Sequence, residues 1–377
     1  MTTPETLGTD LSQWEIGPHH GALSGGMRLK MQLDGEIIAA APVEVGFLHK
    51  GLEKCLEMQR WSALIPFLDH LDPEGAVFGE YALCAAVEDV AKIEVPARAQ
   101  TIRVIVCELT RIACHLAYLA RVAKAAGSAT MAHFALRDRE KILDLFELLT
   151  GARFSHNYLS YGGVREDVTD GFIERVVEIC HLIRIRLKEY NDLFTYNQIF
   201  LERSKQVGVI SPENIRALGI TGPNARASGY HFDVRKAHPY SSYQNYDFEV
   251  PLGSSAQFET GGDIHARFLV RLREIAASIE ILRQACEHLP RGAFTSRKFD
   301  KNFIAPPGEA FARVESSRGL LACHLVSDGK ARPHRVQFRT PSAANIMAVP
   351  RELPGSRIQD LPLILASLDI CIAEVDR

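Results

Sequence analysis

The stretch PARAQTIRVIVCELTRIACHLAYLARVAKAAG, from Pro96 to Gly127, decides the fold. Ile102, Ile105, Leu109, Ile112, Leu116 and Leu119 recur at three- or four-residue steps, the spacing of one helix face. Proline at the first turn and glycine past the end are the punctuation of a helix running from Pro96 to Ala126. Arg103, Glu108, Arg111, His115 and Arg121 lie among the apolar positions. The same reading predicts neighbouring helices over Val45–Glu57, Phe78–Ile93, Met131–Thr150 (closed by Gly151), Asp170 to Arg203, and Asp263–Leu289. The fourth of these is apolar almost all round near Ile179–Ile185, which predicts burial on several sides.

The ends of the chain read differently. Residues 28–42 alternate apolar and polar on both sides of Asp34-Gly35, a hairpin signal with a two-residue turn. Phe311–Val314, Leu320–Val326 and His334–Arg339 read as short strands, and Leu361–Ala373 as a terminal helix. Residues 204–260 read mostly as loop and 291–310 as a linker. The expectation is a mainly α fold: a helical bundle core with small β elements near both termini. Its parts are an N-terminal loop and hairpin over 1–44, a helical core over 45–290, and C-terminal strands and helix over 291–377.

Bulk properties narrow the function. With 43 Lys and Arg against 46 Asp and Glu, the net charge of −3 does not suggest a nucleic-acid binder. No apolar run approaches the roughly 20 residues of a membrane span. The start, MTTPETLGTDLSQWEIG, has neither the basic nor the apolar region of a secretion signal. The eight cysteines form no C-x-x-C pair, so disulfides, structural zinc and an iron–sulfur cluster on this chain are not expected. No G-x-G-x-x-G, Walker A, H-E-x-x-H or G-x-S-x-G occurs, which removes the common cofactor and hydrolase readings.

Several stretches together carry a resemblance that covers essentially the whole chain in order. They include GPHH (Gly17–His20), GFLHKGLEK (Gly46–Lys54), LRDREKILDLFE (Leu136–Glu147) and TGARFSHNY (Thr150–Tyr158). They continue through ASGYHFDVRKAHPYSSY (Ala227–Tyr243), ESSRG (Glu315–Gly319), RPHRVQFRTPS (Arg332–Ser342) and the final EVDR. With them the sequence resembles the D-type subunits of respiratory complex I, the NAD-binding NADH–quinone oxidoreductase. That family shares ancestry with the large subunit of nickel–iron hydrogenases. The resemblance implies a hydrogenase-large-subunit-like core and partners of three kinds: a B-type iron–sulfur subunit, one of the C type, and membrane-arm subunits. It implies a peripheral place on the cytoplasmic side of the inner or plasma membrane, held by those partners, and electron transfer to a quinone coupled to proton translocation.

The resemblance is also informative where it fails. The hydrogenase metal pair needs four thiolates, because nickel and iron prefer soft ligands. The matching positions here are Asp72, Gly75, Cys371 and Glu374, so no nickel–iron site is expected. In the quinone-facing loop His20 matches the family's first histidine, while Ser24 stands where its quinone histidine should be. Pro73 replaces the quinone tyrosine, Ala125 the aspartate near the end of the long helix, and Ser155 the histidine beside the partner's cluster. The neighbouring His156 is expected to face elsewhere. Serine cannot supply a proton near neutral pH as histidine can, and proline and alanine carry no donor. The remaining candidates are His70 and Asp72 as catalytic polar groups, with His20, Ser24, Lys50 and Ser155 as groups facing quinone or cluster. A cation at Lys50 raises a neighbouring cluster's potential. The other reading is a structural or coupling subunit of a complex I-like or hydrogenase-related membrane complex, with its acceptor site lost or altered.

Overall fold

The computed structural model describes residues 11–20, 25–253, 261–296 and 301–377. Strand β1 (Ser12–Ile16) pairs antiparallel with β2 (Arg28–Asp34), which turns back into β3 (Ile37–Ala40). In β2 the alternation works as expected: Leu29, Met31 and Leu33 are buried, while Lys30, Gln32 and Asp34 are exposed. The turn itself is Gly35-Glu36, because Asp34 already pairs with Ile37. Gly35 takes φ +59°, the left-handed region that suits glycine at a hairpin turn. Strand β4 (Val43–Glu44) returns to the start of β2.

The helix expected over Val45–Glu57 begins late, as α1 (Leu52–Met58). Residues 45–51 instead form an irregular loop with Gly46 at φ +106° and Gly51 at φ +63°. Its backbone is satisfied by the far end of the chain: Gly46 and Leu48 N–H each donate to the Asp376 carboxylate at 2.8 Å. Two 3₁₀ turns, Trp61–Ala63 and Ile65–His70, lead into α2 (Ala76–Ala91), then α3 (Ala97–Ala125) and α4 (Ala129–Thr150). Pro96 and Gly127 flank α3 as expected. The helix is buried nearly from end to end, so Arg103, Glu108, Arg111 and His115 lie inside the protein.

A short ribbon, β5 (Leu159–Ser160) with β6 (Gly163–Val164), precedes α5 (Phe172–Tyr190). The single helix expected from Asp170 to Arg203 is broken here. A π-helical turn, Asn191–Thr195, ends α5, and α6 (Gln198–Ser204) restarts with the Asn197 side chain capping Ile199 N–H. Nor is α5 buried on several sides: Val176, Cys180, Ile183, Leu187 and Tyr190 form one stripe, and Ile185 is 55% exposed. The "loop" over 204–260 contains α7 (Pro212–Leu218), α8 (Gly222–Ala227) and α9 (Val234–Ala237). All of α8 is buried, which its Gly, Pro and Asn content concealed. Helix α10 (Ile264–Glu287) starts where Asp263 accepts from Ala266 N–H at 2.7 Å.

Of the C-terminal strands, β7 (Gly308–Ser316) and β8 (Gly319–Ser327) are longer than expected and β9 (Arg335–Arg339) one residue shorter; they are antiparallel in that order. The expected linker is partly structured, with Thr295 bridged to Gly163 and Ala305 buried. Short helices α11 (Pro341–Asn345) and α12 (Val349–Glu352) follow. The terminal helix is two: α13 (Leu361–Leu368) and α14 (Ile372–Asp376), broken at Asp369 with φ +53°. Nearly all buried apolar side chains, from Met27 to Ile372, belong to one cluster built around α2, α3 and α10. No described helix is long and apolar enough to cross a membrane.

Close backbone packing fixes how α8 meets β8. A Cβ on Gly222, itself at φ +71°, would lie 2.3 Å from Gly319 Cα. Gly222→Ala is therefore expected to cost more than about 2 kcal/mol, read as a shift in the denaturant midpoint; an unchanged midpoint would contradict this packing.

Candidate functional site

Three segments distant in sequence converge beside α3 and α10. The turn before α2 supplies Asp72 and Glu74. The β7–β8 turn supplies Arg318, and the break after α13 supplies Asp369. Arg318 is buried and uses its whole guanidinium: Nη1 donates to Asp72 at 2.5 Å, Nη2 to Glu74 at 2.8 Å, and Nε to the Asp369 carbonyl at 3.2 Å. Arg121 of α3 bridges Glu74 and Asp369, both at 2.7 Å. Arg271 of α10 lies 3.8 Å from Asp369.

The electrostatics follow from this crowding. Burial raises Asp72 despite Arg318 beside it. Burial also opposes ionisation of Glu74 and Asp369, yet Arg121 and Arg318 hold Glu74 low, and Arg318, Arg121 and Arg271 hold Asp369 well below the carboxylate range. Glu374, buried on α14, is pushed up to about 7 by burial and by Asp72, while the Ser342 hydroxyl donates to it.

The four positions aligned with hydrogenase cysteines do come together here. Cys371 and Glu374 both feel the charge of Asp72, and a Cβ on Gly75 would lie 2.5 Å from Asp72 Oδ2. They do not fit a nickel–iron pair. Burial and Asp72 push the one thiol, Cys371, well up, and the Arg318 guanidinium stands among the carboxylates. Among the described residues no group of three His, Cys, Asp or Glu is arranged to hold a metal.

The remaining candidates are spread out. His70 is exposed at the end of its 3₁₀ turn, whereas Asp72, two residues on, points inward to Arg318; the two do not share a site. Lys50 is exposed in the loop before α1, and His20 is exposed at the edge of the loop after β1. Ser24 lies outside the described residues. Ser155 is exposed after α4, at φ +56°. His156 does not face elsewhere: it borders the same cleft as Ser155, its ring stacked on Phe146 with centroids 4.0 Å apart, and burial pushes it down to about 4, so it stays neutral.

One juxtaposition matters more. Pro73 and Ser155 border the same narrow cleft, together with Arg139, Phe146 and Phe154. Through Pro73, Glu74, Arg139 and Phe154 the cleft runs into a groove of about 420 Å³ between α3 and α4. Arg121 and Lys124 stand on its α3 side and Leu136 on its α4 side. Phe154 is 51% exposed and carries the Arg139 guanidinium over its ring. Ala125, half-buried at the end of α3, does not line it.

Comparison with known proteins decides the family. Residues 125–302 and 297–377 match the family described as "Respiratory-chain NADH dehydrogenase, 49 Kd subunit". The D-type subunit of NADH-quinone oxidoreductase from Bacillus mycoides (strain KBAB4) is 41% identical over 361 residues, covering 96% of this chain and 97% of the relative. The corresponding protein of Desulforamulus reducens, which carries the same name, is 40% identical over 371 residues, covering 98% and 100%. The chain belongs to this family. The family match takes in α4 through α14. The Asp72 segment lies in the stretch shared with the full-length relatives.

Several site residues were not read from the sequence. Arg318 sat in plain view in ESSRG, but nothing local says that its partners are Asp72 and Glu74. Asp369 looked like one more position of a terminal helix. In this member of the complex I family, Arg318→Met leaves Asp72 and Asp369 without their shared cation. It is expected to cost about 3–5 kcal/mol, measured by denaturant unfolding. Asp369 and Glu74 are depressed carboxylates, so their contribution is present above the unfolded carboxylate pKa and lost as pH falls below it. Wild type should therefore lose stability on acidification more steeply than Arg318→Met; equal slopes would contradict the network.

Proposed function

We propose that this chain is the peripheral-arm component of a complex I-like NADH–quinone oxidoreductase, carrying the face that receives a B-type iron–sulfur partner. C-type and membrane-arm subunits complete the assembly and hold the chain on the cytoplasmic side of the membrane. Electrons pass from the partner's cluster to a quinone at this face, coupled to proton translocation. The observation that carries this reading is the shared cleft. The positions the resemblance gives to the quinone tyrosine and the cluster-side histidine, Pro73 and Ser155, border one opening although they come from opposite sides of α3 and α4 in sequence.

The groove into which the cleft runs suits an apolar acceptor that gains negative charge. Leu136, Phe154 and Pro73 offer apolar contact, and Arg121, Lys124 and Arg139 place cations beside the growing charge, where preorganised groups stabilise it best. What it lacks is a donor at the positions where the resemblance expects one; the histidine that does border the cleft, His156, is kept neutral by burial. Pro73 and Ala125 carry none, Ser24 is a serine, and Asp72 is committed to Arg318. That last contact favours the second reading, a coupling subunit with an altered acceptor site. Lys50 and His20 are proposed to face the partner rather than the cleft.

In the purified assembly, quinone reduction is expected to be weak and insensitive to inhibitors of the usual head-group site; robust, inhibitor-sensitive turnover overturns the altered acceptor site. Arg139→Ala is expected to lower the remaining turnover roughly tenfold with assembly intact, as checked by gel filtration. Unchanged turnover removes the cleft from the acceptor path.

A further inference from the structure

Behind the Ser155 turn lies a second cluster, which the Arg318 network does not touch. Asp69 sits on the 3₁₀ turn Ile65–His70 and Glu80 on α2. The segment 155–159 covers both. Asn157 Nδ2 donates to Asp69 Oδ2 at 3.5 Å and the Ser155 hydroxyl faces the same carboxylate; Leu159 N–H donates to Glu80 Oε2 at 3.0 Å. Ser155 and Asn157 both have positive φ, 56° and 46°, which folds this short segment over the two acids.

The hydrogen-bond account does not close. Asp69 Oδ1, Glu80 Oε1 and Asn157 Oδ1 are buried and have no hydrogen-bond partner among the described residues. All three are acceptors when the acids are ionised, so none can satisfy another. Buried acceptors left alone are costly, and native proteins resolve them with a proton or a bound water. Glu80 is fully buried, and burial together with the Asp69 charge pushes it up to about 7. Asp69 is half-buried and also raised by burial.

We propose that Asp69 and Glu80 form a proton-holding site, in which one exchangeable proton and one water molecule bridge the partnerless oxygens beneath the Ser155–Asn157 turn. Uptake converts a carboxylate to a carboxylic acid whose O–H donates to a neighbouring oxygen; release reverses this, and no electron moves. Half-buried Asp69, next to exposed His70, is the way in from solvent, and Glu80 is the inner station. The other titratable groups around the pair are Cys84 of α2 and Cys107 of α3, both kept as thiols by burial, and His70 beside Asp69. Arg103 is not available as a counter-ion: it is bound to Glu88 and to the Ser160 and Gly163 carbonyls. Ser155 also borders the cleft, so under the function proposed above, on which this clause alone rests, the proton is stored next to arriving negative charge.

The test is infrared spectroscopy of the full chain across neutral pH, which needs neither partner nor quinone. The wild type should show a deuterium-sensitive carboxylic C=O band that disappears as pH rises through about 7. Glu374 contributes a band of the same kind, so the readout is the component lost in Glu80→Gln; in Asp69→Asn that component should titrate at lower pH, because a neighbouring negative charge has gone. A wild-type spectrum without such a band, or the same band and titration in both variants, overturns the site. Stability gives a second readout with a definite sign. Glu80 is raised above its unfolded value, so its contribution is complete below the unfolded pKa and is lost as pH rises through the folded one. The melting temperature of Glu80→Gln should therefore gain on wild type from mildly acidic to mildly alkaline pH, and a pH-independent difference would count against the proposal. If Glu80→Gln does not fold, the shift in Asp69→Asn decides alone. Absent quinone reductase activity with an intact titration would overturn the function proposed above and leave this site standing.

Discussion

A guanidinium taken out of water must spend its donors on partners held in place. Arg318 does so on Asp72, Glu74 and the Asp369 carbonyl. Desolvation makes this arrangement unforgiving: removing any one partner strands a buried charge. The requirement ties the approach to α2, the β7–β8 turn and the segment after α13 into one junction. The C-terminal helix α14 is positioned from there, and Asp376 on it satisfies the backbone of residues 46–48. The irregular loop before α1 thus depends on a residue at the other end of the chain.

A second buried network does the same for the long helices. Glu108 of α3 accepts from Arg111, Arg235, Tyr243 and Ser278, and Arg226 joins Glu274 of α10 to Glu315 of β7. Three guanidiniums here face Glu108, Asp233, Glu274 and Glu315, all without solvent exposure. His115 does not balance the excess carboxylate, since burial lowers it and keeps it neutral. Burial and Asp233 instead raise Glu315, which favours a proton there. Both networks act as geometric constraints more than as sources of stability, because apolar residues of similar size would fill the space with less desolvation.

Much of the scaffold was legible because it depends on periodicity. The spacing of Ile102 to Leu119, with Pro96 and Gly127 at the ends, located α3 to within a residue or so, and the alternation in 28–42 located the hairpin. The misreadings have local physical causes. The helix expected over 45–57 starts late because Gly46 and Gly51 take left-handed φ values. The helix after Asp170 breaks at a π turn that no side-chain pattern announces. The polar, glycine-rich look of 204–260 hid α8, whose burial rests on contacts with β8 and α10 rather than on an apolar face. For the candidate site, the resemblance supplied the positions Asp72, Pro73, Ser155, Cys371 and Glu374. It could not say that His70 and Asp72 face opposite ways, or that Asp69 and Glu80 lie beneath the Ser155 turn.

By itself the sequence determined the family and the mainly α architecture, because motifs and periodic burial are properties of consecutive residues. Only the tertiary structure decided which charges meet: Arg318 with Asp72 and Asp369, Glu108 with Arg235, Asp69 and Glu80 under one turn. Those pairings join segments far apart in the chain. Their energies come from removing water around both partners at once, a condition that exists only after the helices and the terminal sheet have packed.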